Sequence, residues 1–573
     1  MSMIKRIQRL RAPDPKRVKA LQAALSCHPV TASLLVNRGI VSAEAAERFL
    51  SPSLGHLRPP FAIRDLKTAA HRICRAIINK ENLLIVGDYD VDGVTATTLL
   101  YEFLYRLNVP VSYHIPHRLK EGYGLKPRHV QEIAMANRID VLITVDCGSA
   151  SHEAVAMAQA AGIDVIVTDH HELPAKLPPA LAVVNPKRQD CTADFQDLAG
   201  VGVAFCLLAA VRKQLRQLGH WRHCTEPNLK QCCDLVAIGT VADMVPLTRE
   251  NRILTKTGLA VLQSTPRCGL DALMKRTGID KHHIDSTDLA FKVAPRINAA
   301  GRIHHAGIAA RLLMTADAKE AMAAADRLNE LNALRQQEEK RIFDDIVTLL
   351  KKNPSLTASK CLVLAGADWH EGILGIIASR ISQRYGKPAI LISLDNEIGK
   401  GSGRSVRGFN LYEAISACRD LVLQFGGHAM AAGLQIEKGN IDLFRKCLVK
   451  TCIDMTGPDP FRPEIHIDCE LDLDAATPAL ADEIEQFKPF GTANPEPLFL
   501  ARNVRILSSS MVGGFHRKMV LASVAGHNKL PAIQFNAGPP VANQTSFSQL
   551  VYRLQWNRWN GNKSLQLIIE DVD

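Results

Sequence analysis

Between about residues 80 and 170, short apolar runs alternate with segments that have the spacing of helices. The apolar runs are LLIVG (Leu83–Gly87), VSYHI (Val111–Ile115), DVLITV (Asp140–Val145) and IDVIVT (Ile163–Thr168). The helical segments between them are Thr95–Leu107, Arg128–Asn137 and Glu153–Gly162. Apolar strands joined by helices are typical of βαβ units with a buried parallel sheet. The sequence therefore predicts an α/β domain here.

A second α/β pattern follows, and a β-rich region closes the chain. Lys360–Leu364 and Ala389–Leu394 resemble strands, Ile376–Arg384 resembles a helix, and short strand-like runs fill residues 464–573. The charged stretch Thr315–Leu350 lacks Gly and Pro. We interpret it as a solvated helix between the two α/β domains, with a coiled-coil partner helix as the alternative. The predicted parts are a helical segment (1–55), a first α/β domain (56–312), a linker helix (313–355), a second α/β domain (356–455) and an OB-like β-barrel (464–573).

Composition excludes several classes of protein. Apolar residues make up 47% and charged residues 22% of the chain, which is typical of globular proteins. The most apolar uncharged stretch, Leu198–Val211, is too short to cross a bilayer, and the N-terminus has no apolar signal region. The 14 cysteines are scattered without a CxxC pair, so we expect reduced thiols in a cytoplasmic protein with no membrane contact. The formal net charge of +11 permits a polyanionic partner.

Acidic and imidazole side chains follow three of the predicted strands. Asp88, Asp90 and Asp92 come after the first strand, Asp146 after DVLITV, and the sequence Asp169-His170-His171 after IDVIVT. Ligands of open parallel sheets bind outside the carboxyl ends of the strands, so these groups are expected to converge. Asp243, which follows an apolar helical run, is a further candidate.

Carboxylates crowded in this way repel one another, and a bound cation removes the conflict. A solvated acidic turn is the alternative, whereas an EF-hand is excluded because its long acidic loop and terminal Glu are missing. Carboxylate and imidazole ligands without thiolate suit Mn²⁺ or Mg²⁺. Six or seven candidate ligands are too many for one ion. The sequence therefore predicts two ions, which is the arrangement used for phosphoryl displacement.

Two glycine-rich motifs lie in the second α/β domain, GSGRS (Gly401–Ser405) and GGHAMAAG (Gly426–Gly433). Glycine allows backbone N–H groups to approach a phosphate closely, although ordinary turns also contain such motifs. Ser402 and Arg404 make a phosphate pocket plausible, because a guanidinium can contact phosphate in a bidentate manner.

Cations and aromatic residues are interleaved near the C-terminus. Residues 502–563 contain eight Lys or Arg and no Asp or Glu. We expect Phe535 to belong to the barrel core, with Phe547 as a further core candidate. A groove that binds a single strand by stacking and charge is predicted around the remaining side chains. Its candidates are Arg517, Lys518, Trp556 and Trp559.

Four motifs resemble those of the DHH phosphoesterase superfamily: GDYDVDG (Gly87–Gly93), DCG (Asp146–Gly148), TDHH (Thr168–His171) and VADMVPL (Val241–Leu247). Further motifs are similar to those of the bacterial RecJ family of single-strand-specific 5′→3′ DNA exonucleases. They are HRLKEGYGL (His117–Leu125), APRINAAGR (Ala294–Arg302), GSGRS, FGGHAMAAG (Phe425–Gly433) and FKPFGTANPEP (Phe487–Pro497). The resemblance spans about residues 40 to 570 and implies that the two α/β domains are of the DHH and DHHA1 types.

The resemblance also implies roles for individual residues. Asp88, Asp90, Asp92, Asp146, His170 and Asp243 would hold the metals, with Asp146 between them; which of the first three are direct ligands stays open. The implied catalytic groups are Asp146, His170, His171 and His428, with His171 beside the metal ligands or near the scissile phosphate. The implied substrate contacts are Arg118, Arg296, Asn298, Arg302, Ser402, Arg404, Gly426 and Gly427, several of them around a 5′-phosphate.

The leading interpretation is therefore an exonuclease that hydrolyses single-stranded DNA from its 5′ end to 5′-mononucleotides, in recombination and repair. The alternatives are a phosphodiesterase of the same superfamily that acts on small nucleotides, and a non-catalytic DNA-binding scaffold. The resemblance implies a RecQ-type helicase and a single-strand-binding protein as partners. We expect a monomer, because the predicted domains supply a complete site.

Overall fold

A computed structural model describes residues 6–572 except 525, 527, 538–543 and 560, and the side chain of Trp559 also lies outside the described part. The first 50 residues form a strand and three helices. They are β1 (Ile7–Leu10), α1 (Pro15–Leu25), α2 (Pro29–Asn37) and α3 (Ala43–Leu50). Ser42 caps α3 by accepting a hydrogen bond from the Ala45 N–H. The sequence predicted a helical segment here, but the segment also contains a strand, since β1 pairs with residues 464–467.

The first α/β domain contains a five-stranded sheet that is parallel throughout, in the order β3-β2-β4-β5-β6. Its strands are β2 (Leu83–Gly87), β3 (Val111–His114), β4 (Val141–Val145), β5 (Asp164–Thr168) and β6 (Ala182–Val184). β2 and β4 are buried along their whole length, which explains their uninterrupted apolar sequences.

Helices cover both faces of this sheet and extend the domain beyond it. They are α4 (Leu66–Asn79), α5 (Val91–Arg106), α6 (Pro127–His129), α7 (His152–Ala160), α8 (Gly200–Gln217), α9 (Cys233–Ala242), α10 (Arg249–Leu262), α11 (Cys268–Arg276), α12 (Ser286–Asp288), α13 (Ala294–Ile303) and α14 (Gly307–Met314). Short π-helical turns occupy Val130–Met135 and Leu289–Val293. Among the helices that the structure describes, none has the length and apolar character needed to cross a bilayer.

The long helix α15 (Ala318–Lys352) connects the two α/β domains. Its first half, including Ala325 and Leu328, packs into the core of the first domain. Its second half, including Ile342 and Ile346, packs into a core of the second domain. The predicted position is correct, but one face of the helix is buried rather than solvated. Both halves of that face have partners within the chain.

The second α/β domain has a mixed sheet in the order β10-β11-β9-β8-β7. Its elements are α16 (Pro354–Ala358), β7 (Leu362–Ala367), α17 (Glu371–Tyr385), β8 (Ala389–Asp395), β9 (Ile398–Arg404), α18 (Leu411–Ser416), β10 (Gln424–His428), β11 (Ala431–Glu437) and α19 (Ile441–Thr456). The glycine-rich motifs lie mainly on strands β9, β10 and β11 rather than in turns. Cys418 and Cys447 form a disulfide, which corrects the expectation that every thiol is reduced; the other 12 cysteines are free.

The C-terminal region is a closed five-stranded barrel, as predicted, with an N-terminal extension of short elements. The extension comprises β12 (Glu464–Ile467), β13 (Cys469–Glu470) and α20 (Pro478–Glu485). The barrel strands are β14 (Phe499–Val512), β15 (His516–Ser523), β16 (Leu530–Gln534), β17 (Ser546–Trp559) and β18 (Asn562–Val572), and β14 closes the barrel by pairing with β17. Residues of α1–α3 share the barrel's hydrophobic core.

A buried arginine joins the first α/β domain to this C-terminal half. Arg252 of α10 donates hydrogen bonds to the carbonyls of Phe49 and of residues 486–489, at the end of α20. Its guanidinium also lies 3.8 Å from the centre of the Phe49 ring. The side chain is almost fully buried and no carboxylate is among these partners, so one cation donates to five carbonyls. Asn494 also donates to two of them, those of Phe487 and Pro489.

Arg252→Met is expected to lower the free energy of unfolding by about 3 kcal/mol or more, because buried carbonyls lose a charged donor. Urea denaturation of the full chain measures the change. Arg249→Met, three residues earlier on α10, is the matched control. Arg249 forms an exposed ion pair with Asp194, so its loss should cost less than about 1 kcal/mol. Equal urea midpoints for the two variants would contradict the view that Arg252 stabilises the contact between the first α/β domain and the C-terminal half.

Candidate active site

The carboxyl ends of three neighbouring strands bring the predicted acidic residues together. Asp88 follows β2, Asp146 follows β4, and Asp169 and His170 follow β5. These strands are adjacent and parallel, so their ends meet at one edge of the sheet. Asp243 reaches the same edge from the C-terminus of α9. The structure therefore groups the six predicted metal ligands in one place.

The ligand atoms form two groups that a third connects. In one group, oxygens of Asp88, Asp90 and Asp146 lie within 4.8 Å of one another, and Asp92, His170 and Asp243 meet the same criterion in another. The third group, Asp146, His170 and His171, shares one residue or more with each of them. His170 Nε2 joins the groups, since it lies 3.1 Å from Asp146 Oδ1, 3.7 Å from Asp92 Oδ2 and 3.6 Å from Asp243 Oδ2. Two ions could thus be held side by side, with Asp146 between them.

The electrostatics of the cluster favour a bound cation. Burial, together with repulsion from Asp90, raises the pKa of Asp88 well above its usual value and that of Asp92 to about 7. Burial and repulsion from Asp92 likewise raise the pKa of Asp146 well above its usual value and that of Asp243 to about 8. Without a positive charge among them, these groups cannot all be ionised at neutral pH.

Three buried atoms of the cluster also have no hydrogen-bond partner within the described chain: Asp88 Oδ1, Asp146 Oδ1 and His170 Nε2. Buried polar atoms are normally satisfied, and unsatisfied ones mark places where an ion or water belongs. Burial and the neighbouring His171 lower the pKa of His170 to about 4, so its ring is neutral and can act as a ligand. Oxygen donors with one imidazole fit Mn²⁺ or Mg²⁺.

Backbone groups hold Asp92 in place. Its carboxylate accepts hydrogen bonds from the N–H groups of Gly200 (2.6 Å) and Val201 (2.9 Å), at the start of α8. A helix N-terminus favours a negative group in this position. A Cβ atom built on Gly200 would lie 2.6 Å from Asp146 Oδ1, so only glycine fits between the two carboxylates.

Gly200→Ala is expected to lower Mn²⁺-dependent activity by about tenfold or more, since the new methyl group displaces Asp146 from its position. Activity and the Mn²⁺-induced rise in melting temperature are the measurements. Gly202→Ala, two residues further along α8, is the control because its Cβ meets only the side chain of Leu198, at 3.1 Å. Equal activity and an equal Mn²⁺-induced rise in melting temperature in the two alanine variants would show that the close packing at Gly200 does not position Asp146.

Asp169 orients the histidine pair. One of its carboxylate oxygens accepts hydrogen bonds from the backbone N–H groups of His170 and His171 and lies 2.8 Å from His171 Nδ1. Burial alone would lower the pKa of His171, but the bond to Asp169 raises it to about 9, so the ring carries a proton at neutral pH. Sequence reasoning noted Asp169 at a strand end and assigned it no role.

Two further residues support this loop and were missed. Asn185 Nδ2 donates to Ser149 Oγ and to the His171 carbonyl. The Tyr123 hydroxyl donates to the Asp146 carbonyl (3.1 Å) and lies 3.0 Å from His171 Nδ1. The motif HRLKEGYGL contains Tyr123, but nothing in the sequence indicates that it lies beside Asp146.

A cleft of about 450 Å³ lies between the two α/β domains, and Tyr89, between Asp88 and Asp90 in the sequence, is part of its lining. Arg118, Ser402 and Gly426 line it from opposite sides, so the structure brings these predicted substrate residues together. Arg118 stacks on Tyr89, with its guanidinium 4.8 Å from the ring centre. Arg404 lies beside Ser402, and a Cβ on Gly375 of α17 would meet its guanidinium at 2.8 Å.

Other predicted substrate residues lie at the edges of the cleft or have partners within the chain. Arg302 donates to the Gly372 carbonyl and so connects the two domains. Arg296 donates to Asn329 and to the Lys292 carbonyl, while Asn298 is half-buried on the same helix. Gly427 and the exposed His428 lie at the end of β10, and His428 forms no ion pair with the carboxylates among the described residues.

The barrel places the predicted strand-binding residues differently from one another. Arg517 is buried and donates to Ser509 and Gln544, whereas Lys518 is exposed. Trp556 Nε1 donates to Asp482 of α20. Trp559 lies at the end of β17, and its side chain is outside the described part of the chain.

Two expectations about the barrel need correction. Phe535 is 53% exposed and is not part of the core, whereas Phe547 is buried. The acid-free stretch is not free of acidic neighbours, since Lys563 pairs with Asp482 and Arg558 pairs with Glu485. Both acids belong to α20, which packs against β17 and precedes the acid-free residues 502–563 in the sequence.

Comparisons with known proteins cover most of the chain. Family models match in three places: the DHH family N-terminal domain at residues 82–240, the DHHA1 domain at 356–453 and the RecJ OB domain at 467–571. The single-stranded-DNA-specific exonuclease RecJ of Salmonella typhimurium is 35% identical, covering 99% of this chain and all of that protein. The protein of the same name from Bacillus subtilis is 36% identical, covering 98% of this chain and 70% of its own length.

Solved structures agree with these matches. RecJ from Thermus thermophilus in complex with Mn²⁺ superposes with a TM-score of 0.84 at 30% identity, covering 99% of this chain and 79% of that one. The same protein in complex with Mg²⁺ gives a TM-score of 0.77 at 29% identity, covering 99% and 78%.

Proposed function

This chain belongs to the RecJ family, and on that premise we propose that it is a metal-dependent exonuclease specific for single-stranded DNA, acting from the 5′ end. The observation that carries the proposal is the pair of ligand groups joined by Asp146 and His170, at the edge of a narrow interdomain cleft. The relatives named above are single-stranded-DNA-specific exonucleases, and solved relatives hold Mn²⁺ or Mg²⁺.

We assign the ligands in two sets, Asp88, Asp90 and Asp146 for one ion and Asp92, His170 and Asp243 for the other, with Asp146 shared. Two divalent cations there would supply a water nucleophile and neutralise charge on the phosphodiester. His171, protonated through its bond to Asp169, holds a positive charge beside Asp146. We propose that this charge faces the scissile phosphate. We propose that His428, on β10 of the second domain, faces the metal ligands across the cleft.

Strand polarity and single-strand preference follow from the cleft. Arg118 and Ser402 line the cleft, and Arg404 lies beside Ser402. These groups suit a terminal 5′-phosphate, and the N-terminus of α17 lines the same cleft at Gly372. We propose that this cleft between two domains admits one strand and excludes the wider duplex. Anchoring the 5′-phosphate beside the metal centre would release 5′-mononucleotides.

We also propose a role in recombination and repair in the cytoplasm, with the chain acting as a monomer. The family membership supports this role, and the implied partners are a RecQ-type helicase and a single-strand-binding protein. Exposed Lys518 and the barrel face around it are the best-supported remaining candidates for strand contact outside the cleft. Analytical ultracentrifugation and pull-down with purified partners test these points.

Incubation with labelled single-stranded DNA, duplex DNA and cyclic dinucleotides tests the activity. Degradation of single strands alone, with Mn²⁺ or Mg²⁺ and not with chelator, is expected. Cleavage of cyclic dinucleotides with intact DNA would replace the proposal with a small-nucleotide phosphodiesterase. DNA binding without cleavage in either metal would indicate a scaffold.

A further inference from the structure

A second cluster of histidine and carboxylate groups lies outside the metal centre. His114 Nε2 lies 3.1 Å and His129 Nε2 lies 2.9 Å from the same oxygen of Glu121. His129 is 2% exposed, and the other two side chains are largely covered. Arg128 adds a cation 3.4 Å from that oxygen. None of these residues contributes to the proposed catalytic chemistry.

The cluster has the composition of a metal site, but its hydrogen bonds indicate otherwise. His129 Nδ1 accepts a hydrogen bond from the Lys126 N–H at 3.2 Å, so the ring proton must reside on Nε2. A metal at Nε2 would need the opposite tautomer. Burial and the nearby Arg128 lower the pKa of both rings, that of His129 to about 4, so each neutral ring donates to Glu121.

Glu121 lies in the loop that supplies two groups to the cleft and the metal centre. Its backbone N–H donates to the His117 carbonyl (2.8 Å), which closes a tight turn around Arg118. Two residues after Glu121, the Tyr123 hydroxyl contacts the Asp146 carbonyl. His114 ends strand β3 and His129 ends α6, so the two histidines attach this loop to the rigid sheet on one side and to a helix on the other.

We propose that Glu121 is a positioning residue, held by His114 and His129, which fixes the loop of residues 117–124 so that Arg118 and Tyr123 meet the substrate end and the metal centre. The inference rests on the proposed function, since it assigns Arg118 to the 5′-phosphate. The residues that would hold this loop are not metal ligands, and the two histidines lie outside the motifs that resemble the RecJ family.

The test compares Glu121→Ala with Glu121→Gln on 5′-phosphorylated and 5′-hydroxyl single strands. Glu121→Ala should lower kcat/KM on phosphorylated strands by about ten- to a hundredfold, mainly through KM, and reduce the preference for the phosphate toward that of Arg118→Ala. Glu121→Gln should remain within about threefold of the wild type, because its amide oxygen still accepts both ring N–H groups. Asp280→Ala, which removes an exposed carboxylate bonded to His283, is the control and should leave activity unchanged.

Hydrogen exchange at residues 117–125 provides a second readout that does not depend on activity, and it should become faster in Glu121→Ala alone. An unchanged preference for 5′-phosphorylated strands in Glu121→Ala would overturn the inference. A zinc ion bound by the wild type in addition to the ions of the metal centre, and lost in His129→Ala, would overturn it as well. Failure of the wild type to digest single strands at all would instead count against the proposed function.

Discussion

Asp146→Asn is expected to abolish nuclease activity while leaving the chain folded and, in chelator, more heat-stable than the wild type. In the proposed assignment both ions share Asp146, so its loss weakens both together and should lower kcat by about a thousandfold or more. The fold should gain because burial and repulsion from Asp92 and Asp90 raise the pKa of Asp146 and disfavour its ionised form, whereas the amide of Asn stays neutral without that cost.

Two measurements separate these effects. In chelator the melting temperature of Asp146→Asn should exceed that of the wild type by about 2 °C, and the rise that Mn²⁺ causes in the wild type should be lost. Asp140→Asn, at the opposite end of β4, is the matched control because Asp140 is exposed and its carboxylate accepts a hydrogen bond from the backbone N–H of Asn82. Full activity in Asp146→Asn would rule out the shared-ligand assignment.

Arg404→Ala should remove most of the preference for a 5′-phosphate. The guanidinium lies 3.4 Å from the hydroxyl of Ser402, which lines the cleft, and burial and the charge of Arg118 lower its pKa. Loss of a desolvated contact to phosphate costs about 3 kcal/mol, so kcat/KM on phosphorylated strands should fall about a hundredfold. Strands with a 5′-hydroxyl should change by less than about threefold.

Arg404→Lys should give an intermediate result, because an ammonium keeps the charge but lacks the bidentate geometry. Arg407→Ala serves as the control, since Arg407 is exposed and bonds to His466 outside the cleft. Steady-state kinetics on the two strand types provide the numbers. Equal losses on both strand types would show that Arg404 supports the fold of the cleft rather than the terminal phosphate.

The metal centre was predictable from sequence because it follows directly from strand order. Asp88, Asp146 and His170 end neighbouring parallel strands, and the carboxyl ends of such strands must meet. The contact between Asp92 and the N-terminus of α8 joins residues 108 positions apart, and no local pattern indicates it. The three residues around Glu121 are likewise brought together only by the packing of a strand, a loop and a helix.

The barrel shows the limit of counting charges along a segment. Arg558 and Lys563 lie in a stretch without acids, yet α20 supplies Glu485 and Asp482 from 73 and 81 residues earlier in the chain. Phe535 follows an alternating strand pattern, but it lies just after the end of β16 and its ring faces solvent. Contacts across a barrel form only when strands distant in the sequence pair with one another, and a short stretch of sequence carries no information about that pairing.

The first product released from single-stranded DNA in the presence of Mn²⁺ shows from which end the chain digests its substrate. Strands labelled at the 5′ end should yield labelled mononucleotide at the earliest times, whereas strands labelled at the 3′ end should shorten gradually. That result places the scissile bond next to the anchored 5′ end. Labelled mononucleotide released first from the 3′ end, or a spread of internal fragments, would contradict the account of the cleft and its phosphate pocket.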